Sequence, residues 1–300
     1  MSKNNILKGV ILVGLGATSY GMLATFVKLA YDEGFTTAEV TSSQFILGII
    51  GILIINLFQK TRTKEAVVKA SPKNIFQLML AGTSLGMTSV FYYLCVKYID
   101  VSIAIVLLMQ TVWMGVLLEW ILDKKAPSTQ KIVSVIIVLI GTVLATKLYN
   151  TDLNIDFRGI FWGLLAAASF TTTMFTANKV ALGISSAQRS LYMLLGGAII
   201  VFGFALFTQT NTFNTAIFLK WGIVLALFGT IIPPMLLNAG FPKTGIGLGS
   251  IVSSLELPVS VMMAYLILDE KVNLVQWIGI LFIILAIVIM NVNYKFFTKK

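Results

Sequence analysis

Apolar residues occur along this chain in long runs that are separated by short polar gaps. Each run is roughly 20 residues long, which is enough for an α-helix to cross the hydrocarbon core of a bilayer. The first run is longer than the apolar part of a signal peptide, so we expect it to be retained. The pattern predicts ten membrane-spanning helices, at residues 6–30, 38–58, 75–96, 101–122, 130–147, 159–180, 188–207, 218–240, 246–268 and 274–293.

The second half of the chain repeats the pattern of the first half. Residues 9–28 match residues 159–178 at an offset of 150 positions. Later in each half the offset is 146, which pairs Gln110 with Glu256. The same offset pairs Asp123 with Asp269 and Gln130 with Gln276. The chain is therefore predicted to contain two copies of one unit.

Each copy would hold five helices, and an odd number of helices places the second copy upside down in the membrane. We predict two inverted five-helix repeats at residues 1–147 and 159–300, joined by an outer loop at residues 148–158. A pseudo-two-fold axis in the membrane plane relates such repeats, and transporters built from them commonly bind substrate near the midplane.

The composition supports a membrane protein and excludes several kinds of enzyme. Hydrophobic residues make up 57% of the chain and charged residues only 11%, whereas soluble domains have about 25% charged residues. We therefore expect an all-α integral membrane protein. The chain has no histidine and a single cysteine, Cys95, which excludes histidine-ligated metal or haem, thiolate clusters and Ser-His triads. We expect neither a metal nor another cofactor.

The net charge of +10 is explained by membrane topology, because the basic residues lie between apolar runs and form no patch for nucleic acid. If the N-terminus lies inside, most of the 22 lysines and arginines fall on the inner side. Both termini are then expected in the cytoplasm, with the protein in the inner (cytoplasmic) membrane. The expected inner residues are Lys3, Lys8, Lys60, Arg62, Lys64, Lys69, Lys73, Lys124, Lys125, Lys131, Lys179, Arg189, Lys243, Lys295, Lys299 and Lys300. The expected outer residues are Lys28, Lys97, Lys147, Arg158, Lys220 and Lys271, with the acids Asp32, Glu33, Glu39, Asp152 and Asp156.

The main candidate for a functional residue is Glu256, which lies near the middle of the ninth span. A carboxylate is unfavourable at that depth unless it has a partner, reaches water or carries a proton. Its repeat partner Gln110 would approach it at the midplane and can only donate and accept hydrogen bonds. Glu256 would then bind a substrate amine or carry a coupling proton. The alternative is a packing role, in which protonated Glu256 bonds a carbonyl freed by Pro258 or a nearby serine such as Ser253.

Other polar and aromatic side chains within the spans are candidates to line the substrate path. For serine and threonine the alternative is a bond to a helix backbone, and for tyrosine and tryptophan it is an interfacial anchor. Pro233 and Pro234 in the eighth span and Pro258 in the ninth remove backbone donors, and would either expose carbonyls to a cavity or simply bend the helices. With Glu256 and Gln110, the predicted substrate-binding residues are Ser19, Tyr20, Tyr92, Trp113, Thr172, Asn238 and Ser253.

Three short segments of the second half carry a family resemblance. They are Glu256-Leu257-Pro258 within the ninth span, Leu268-Asp269-Glu270 at its end, and Gln276-Trp277-Ile278-Gly279 at the start of the last span. Together with the repeat, they make the chain similar to the EamA-type drug/metabolite transporters over nearly its whole length. The first half departs from the pattern, because Gln110 and Lys124 stand where the second half has Glu256 and Glu270.

The resemblance implies a ten-helix inner-membrane carrier that moves amino acids, nucleobases or other small metabolites, often outward. The expected function is secondary transport of an amino acid or related compound by alternating access, with export as the expected direction and protons as a possible coupling ion. The chain lacks the G-x-x-x-x-G-K-[ST] loop of nucleotide-driven pumps. Two alternatives are a membrane enzyme acting on lipid and a receptor or assembly protein without transport. An enzyme would need a second acid near Glu256, whereas Glu119 lies near the expected cytoplasmic end of its span.

Overall fold

The protein is described by a computed structural model that covers residues 3–62, 68–99, 101–148 and 156–291. Within these ranges every regular element is a helix. Several residues used above for topology lie outside the described residues, namely Lys64, Asp152, Lys295, Lys299 and Lys300, together with most of the expected loop at 148–158.

The helices are numbered in chain order. They are α1 Lys3–Asp32, α2 Thr37–Arg62, α3 Pro72–Tyr98, α4 Val101–Leu108, α5 Thr111–Asp123, α6 Thr129–Ala145, α7 Phe157–Lys179, α8 Ser186–Thr208, α9 Ile223–Ala226, α10 Ile232–Thr244, α11 Ile246–Ser253, α12 Glu256–Ile267 and α13 Leu274–Asn291.

Eight helical segments of the described chain are long and apolar enough to cross a membrane. They correspond to eight of the ten expected spans. The expected fifth and tenth spans form shorter apolar helices, Thr129–Ala145 and Leu274–Met290. The protein is thus a multi-pass all-helical membrane protein, while the count of ten spans stays a prediction.

The fourth and ninth spans are each broken near the middle. The first break lies between α4 and α5 at Met109 and Gln110, and the second lies between α11 and α12 at Ser254 and Leu255. At both breaks the backbone turns through i→i−3 hydrogen bonds, such as Gln110 N to Leu107 O at 3.1 Å. These bonds tighten the chain locally and end the regular α-helix. With the offset of 146, the breaks agree to within one residue.

The eighth span reaches its prolines through widened turns. Residues Phe218–Gly222 and Leu227–Ile231 are π-helical, and Pro233 and Pro234 lie in the first turn of α10. A proline in a first helical turn needs no N–H partner. The widened turn before the prolines therefore accommodates them without a gap in the span.

Equivalent helices of the two halves run antiparallel to each other. Gln130, at the start of α6, donates to the carbonyl of Ile289 near the end of α13. Gln276, at the start of α13, donates to the carbonyl of Ala145 at the end of α6, at 3.0 Å. These two glutamines are repeat partners, so the two bonds are nearly symmetric. An antiparallel pairing of this kind is what an inverted repeat requires.

Most of the packing is between the halves. In the first half α3 lies against α7 and α8, and in the second half the eighth span lies correspondingly against α1 and α2. Some of these contacts are backbone to backbone, because a Cβ added to Gly82 or Gly196 would fall 2.1 or 1.9 Å from the carbonyl of Met193 or Met79. Neither half therefore builds a core alone.

The end of the bundle where α1 begins is called the near end, and the end where α1 stops is called the far end. Near-end ion pairs join Lys131 to Glu119 and Lys179 to Asp123. Far-end ion pairs join Lys28 to Glu270 at 2.5 Å and Lys220 to Glu33 at 2.9 Å. The lysines expected inside lie at the near end wherever the structure describes them.

Candidate functional site

Glu256 is the first residue of α12 and directly follows the break in the ninth span. Its side chain is half-buried. Within the described ranges no hydrogen bond or ion pair to its carboxylate is formed. The backbone of α1 comes close at this point, since a Cβ on Gly21 would lie 2.5 Å from the carbonyl oxygen of Glu256. The sequence therefore places an uncompensated carboxylate beside α1 in the middle of the bundle.

Two of the predicted tyrosines lie within electrostatic range of Glu256. Tyr20 comes from α1 and Tyr92 comes from α3, and both side chains are half-buried. The ring of Tyr20 meets Phe170 of α7 edge-on, with 6.2 Å between the ring centroids. Among the described residues, the carboxylate thus has hydroxyl-bearing aromatic neighbours and no ion pair with a lysine or arginine, an arrangement that suits binding of a cationic solute or carriage of a proton.

Gln110 and Trp113 form a local pair at the other break. The Gln110 amide nitrogen donates to the carbonyl of Val106 at 2.9 Å, and its amide oxygen accepts from the Trp113 indole at 2.8 Å. The first of these bonds satisfies a carbonyl that the break would otherwise free. The two breaks are neighbours, because Met109 and Leu257 belong to the same buried apolar cluster. Both polar groups of Gln110 are thus already engaged by the first half.

The remaining predicted residues lie away from Glu256 or bond to helix backbone. The hydroxyl of Ser19 donates to the carbonyl of Phe228 at 3.1 Å, in the π-helical part of the eighth span. Ser253 donates to Gly249 within α11, at 2.9 Å. Thr172 donates to the carbonyl of Ala168 at 3.0 Å. It lies on an exposed stripe of α7 with Phe161 and Leu164.

Asn238 lies at the near end, buried between α10 and α8. Its amide nitrogen donates to Ser190 at 2.9 Å, and its amide oxygen has no partner among the described groups. A small cavity is lined by both Tyr20 and Asn238 but not by Glu256. Asn238 is therefore separate from the immediate neighbours of the carboxylate.

The two ends of the bundle are not equally closed. At the near end α7 packs against α10 and α11 through an apolar cluster that includes Met174, Phe241 and Val252. In the first repeat, α1 corresponds to α7, and α3 and α4 correspond to α10 and α11. The equivalent contact would therefore join α1 to α3 and α4 at the far end. In the described part of the chain these helices are joined by a side-chain hydrogen bond between Tyr31 and Tyr93, without comparable packing of the helices themselves. The helices around Glu256 are therefore packed more closely at the near end than at the far end.

Two polar residues that close the near end were missed or misplaced by the sequence analysis. Arg189 was counted among the inner surface charges, but it is only 2% exposed and bonds to backbone carbonyls of α7 and α10. Asn178 was not singled out, yet its amide donates to the carbonyl of Phe241 at 2.6 Å. The position of Arg189 one residue inside the predicted span 188–207 was the available signal.

Comparisons with known proteins agree with this architecture. A solved crystal structure of another protein superposes with a TM-score of 0.78, covering 97% of this chain and 99% of that chain, at 12% sequence identity. At this identity the likeness shows the shared fold alone. None of the curated proteins matches the chain. The model of the EamA-like transporter family, whose members are membrane transporters of the drug/metabolite type, matches twice, at residues 7–147 and 157–292. Because these two matches span nearly all of both halves, the chain belongs to the EamA-like transporter family.

Proposed function

We propose that this protein is a secondary transporter that moves a small amine-bearing metabolite, such as an amino acid or related compound, across the cytoplasmic membrane by alternating access. Export is the proposed direction. The two units of the carrier are residues 1–147 and 159–300, which rock against each other around a site at the two broken spans. The near end is the proposed cytoplasmic side, because the described inner lysines lie there.

The single observation that carries this proposal is the state of Glu256. The carboxylate lies at a helix break in mid-bundle, is half-buried, and has no basic partner in the described residues. Charged groups at this depth are retained where a substrate, an ion or a proton supplies the missing partner. Helix breaks near the midplane of an inverted repeat are also common features of transporter binding sites.

Two roles for Glu256 are compatible with this geometry, and they can be separated by experiment. In the first, the carboxylate binds the amine of the solute directly, with Tyr20 and Tyr92 completing the site. In the second, it carries the proton that couples transport to the pH gradient. Gln110 cannot replace it in either role, since an amide has no charge and both of its polar groups are engaged.

The test is solute flux in proteoliposomes that contain purified protein, screened across amino acids, nucleobases and nucleosides. We expect Glu256→Gln protein to remain folded and to lose either transport altogether or the dependence of transport on a pH gradient while exchange continues. Glu33→Gln is the matched control, because Glu33 is an exposed carboxylate paired with Lys220 at the far end. That variant should transport like the wild type.

The outcome that would contradict the role of Glu256 is a wild-type rate, affinity and pH profile in the Glu256→Gln carrier. If no solute in the screen is transported by the wild-type protein, the proposal of transport itself fails. A loss of transport that is accompanied by loss of folded protein would be resolved by Glu256→Asp, which keeps the charge and should restore activity in part.

A further inference from the structure

Arg189 is a buried charge with an unusual set of partners. It lies in the first turns of α8, is 2% exposed, and makes no ion pair with any described carboxylate. Its guanidinium donates instead to four backbone carbonyls. These bonds reach Val180 at 3.0 Å, Thr176 at 3.0 Å, Ala177 at 2.7 Å and Asn238 at 2.7 Å.

The partners of Arg189 belong to the two helices that close the near end. Three of the carbonyls lie at the end of α7, where a positive charge is favourable because helix carbonyls point outward there. The fourth carbonyl belongs to Asn238 of α10. A second bond joins the same helices directly, from the Asn178 amide to the carbonyl of Phe241 at 2.6 Å. Arg189 and Asn178, named here the near-end clamp, therefore tie α7 to α10.

Three of the carbonyls that the clamp holds belong to residues at the wall of a small cavity. This cavity is lined by Ala177, Phe241 and Asn238, and also by Tyr20, which is a neighbour of Glu256. The amide oxygen of Asn238 is buried there without a partner in the described protein. Burial of a polar group without a partner is unfavourable. Such a group is expected in a contact that must be released in another state of the carrier, because it lowers the stability of the closed contact.

At the far end, α1 and α3 are joined by a hydrogen bond between the side chains of Tyr31 and Tyr93, and no described arginine takes the place of Arg189 there. The repeat partner of Arg189 at the offset of 150 is Glu39, which is also buried. Its carboxylate accepts from the backbone of Thr36 at 2.8 Å and of Asn214 at 2.7 Å, and from Gln209 at 3.2 Å. It thus holds the start of α2 to the segment after α8 and does not join α1 to α3. The two ends of the bundle are therefore held by different contacts, with a buried arginine at the near end and a pair of tyrosines at the far end.

We propose that the near-end clamp is the gate of the carrier on the near side, so that breaking the bonds of Arg189 and Asn178 to α10 opens a path from Glu256 to that side. Arg189 is a positioning residue in this scheme, since it acts on the helices and does not touch the solute. The proposal rests on the proposed alternating access. It adds which contacts must break for the near side to open.

Accessibility of single cysteines tests the gate without knowledge of the solute. Cys95 is first replaced by alanine. One reporter, Ala177→Cys, lies behind the clamp, and the other, Ser260→Cys, lies one helical turn beyond Glu256 toward the far end. A membrane-impermeant thiol reagent is then applied to vesicles of both orientations. In the unaltered clamp we expect slow labelling of residue 177 from the near side and faster labelling of residue 260 from the far side.

Removing the clamp should change both reporters in opposite directions. With Arg189→Ala we expect about tenfold faster labelling at residue 177 and slower labelling at residue 260, because a minor near-open state becomes substantially populated. Asn178→Ala removes one bond and should give a smaller change of the same sign, which keeps the test available if Arg189→Ala folds poorly. Asn56→Ala is the matched control, since the Asn56 amide donates to the carbonyl of Ile52 in its own helix at 2.9 Å.

Unchanged labelling at residue 177 in both clamp variants would overturn the gate. Faster labelling at residue 177 with unchanged labelling at residue 260 would also overturn it, because it indicates local loosening of the near end. Reciprocal labelling in a protein that moves no solute would support the gate and contradict the proposed transport. Transport with no change in labelling would contradict the gate alone.

Discussion

Glu256 and Gln110 occupy equivalent positions in the two repeats but leave different groups free. The amide of Gln110 bonds to Val106 and Trp113 in its own half. The carboxylate of Glu256 bonds to no described group, although it lies in the same part of the bundle. A symmetric fold therefore carries an asymmetric site, in which the second half supplies the charge. Recognition of a solute amine would depend on that half.

The turn after α12 offers a residue-scale prediction about stability. Asp269 has a left-handed backbone with φ of 53°, a conformation that glycine adopts without strain. We expect Asp269→Gly to raise the free energy of unfolding by about 0.5–1 kcal/mol, because the relief of left-handed strain exceeds the entropy that glycine loses on folding. The repeat partner gives the opposite expectation, because Asp123 has helical geometry at the end of α5 and also pairs with Lys179. Asp123→Gly should instead lower stability by about 1 kcal/mol. Thermal unfolding in detergent measures both changes.

The same turn bears on the family motif that includes Glu270. Its carboxylate pairs with Lys28 at 2.5 Å, and both side chains are about half exposed. Exposed pairs of this kind contribute roughly 0–1 kcal/mol. We expect Glu270→Gln to cause a small loss of folded yield and no change in solute selectivity in the flux assay. Altered selectivity at normal yield would show that Glu270 belongs to the binding site.

The sequence was informative about single residues where depth in the membrane decides their chemistry. Glu256 was predictable because a carboxylate inside an apolar run is rare and unfavourable. The hydrogen bonds of Ser19 and Arg189 were not predictable, because their partners are carbonyls in other helices. A carbonyl is present at every position of the chain, so residue type carries no information about which carbonyl is free.

At the scale of helices, the runs of apolar residues predicted where segments lie. Pro258 indicated a break or a bend in the ninth span, and the fourth span carried no such signal. Both interrupted spans are apolar on each side of the break, and the first has no proline near Met109. The interruption depends on i→i−3 backbone bonds, and in the first half on the Gln110 side chain as well. Prolines were also an imperfect guide, since Pro233 and Pro234 follow a widened turn and begin α10.

Close helix contacts give an element-scale prediction. A Cβ at Gly196 of α8 would lie 1.9 Å from the carbonyl of Met79 in α3, so Gly196→Ala must push the two helices apart. We expect a loss of about 1–3 kcal/mol and a lower yield of folded protein. Gly203 lies on the same helix with no atom near its Cβ position. Gly203→Ala should therefore be neutral or stabilise by up to about 1 kcal/mol. Equal effects of the two changes would contradict the close contact.

For the molecule as a whole, the sequence repeat predicted that the second half is an inverted copy of the first. The packing of the helices tests this relation directly. Gln130 and Gln276 were paired by offset alone, and their side chains make nearly symmetric bonds between antiparallel helices. The unequal closure of the two ends could not be read from the repeat. It depends on which of two equivalent sets of contacts is formed, and a sequence compatible with both does not select one.

The orientation in the membrane is a prediction at this scale. The lysines of the near end should hold that end in the cytoplasm. A cysteine placed at Asp32, at the far end of α1, should react with an impermeant reagent added outside intact cells. A cysteine placed at Lys69, just before α3, should react only after the cells are opened. Both positions are exposed. The reverse pattern would invert the orientation and with it the proposed direction of export.

The interleaved packing of the halves has a consequence for how the chain can be divided. Because α3 lies on α7 and α8, and the eighth span lies on α1 and α2, few of the packing contacts depend on the covalent link between Leu148 and Asp156. Two separately translated fragments, cut within that link, should therefore assemble into one particle when they are produced in the same cell. Either fragment produced alone should be degraded, since it would leave its partner-facing surfaces unburied. The two halves would then behave like the subunits of an obligate heterodimer that are encoded as one polypeptide.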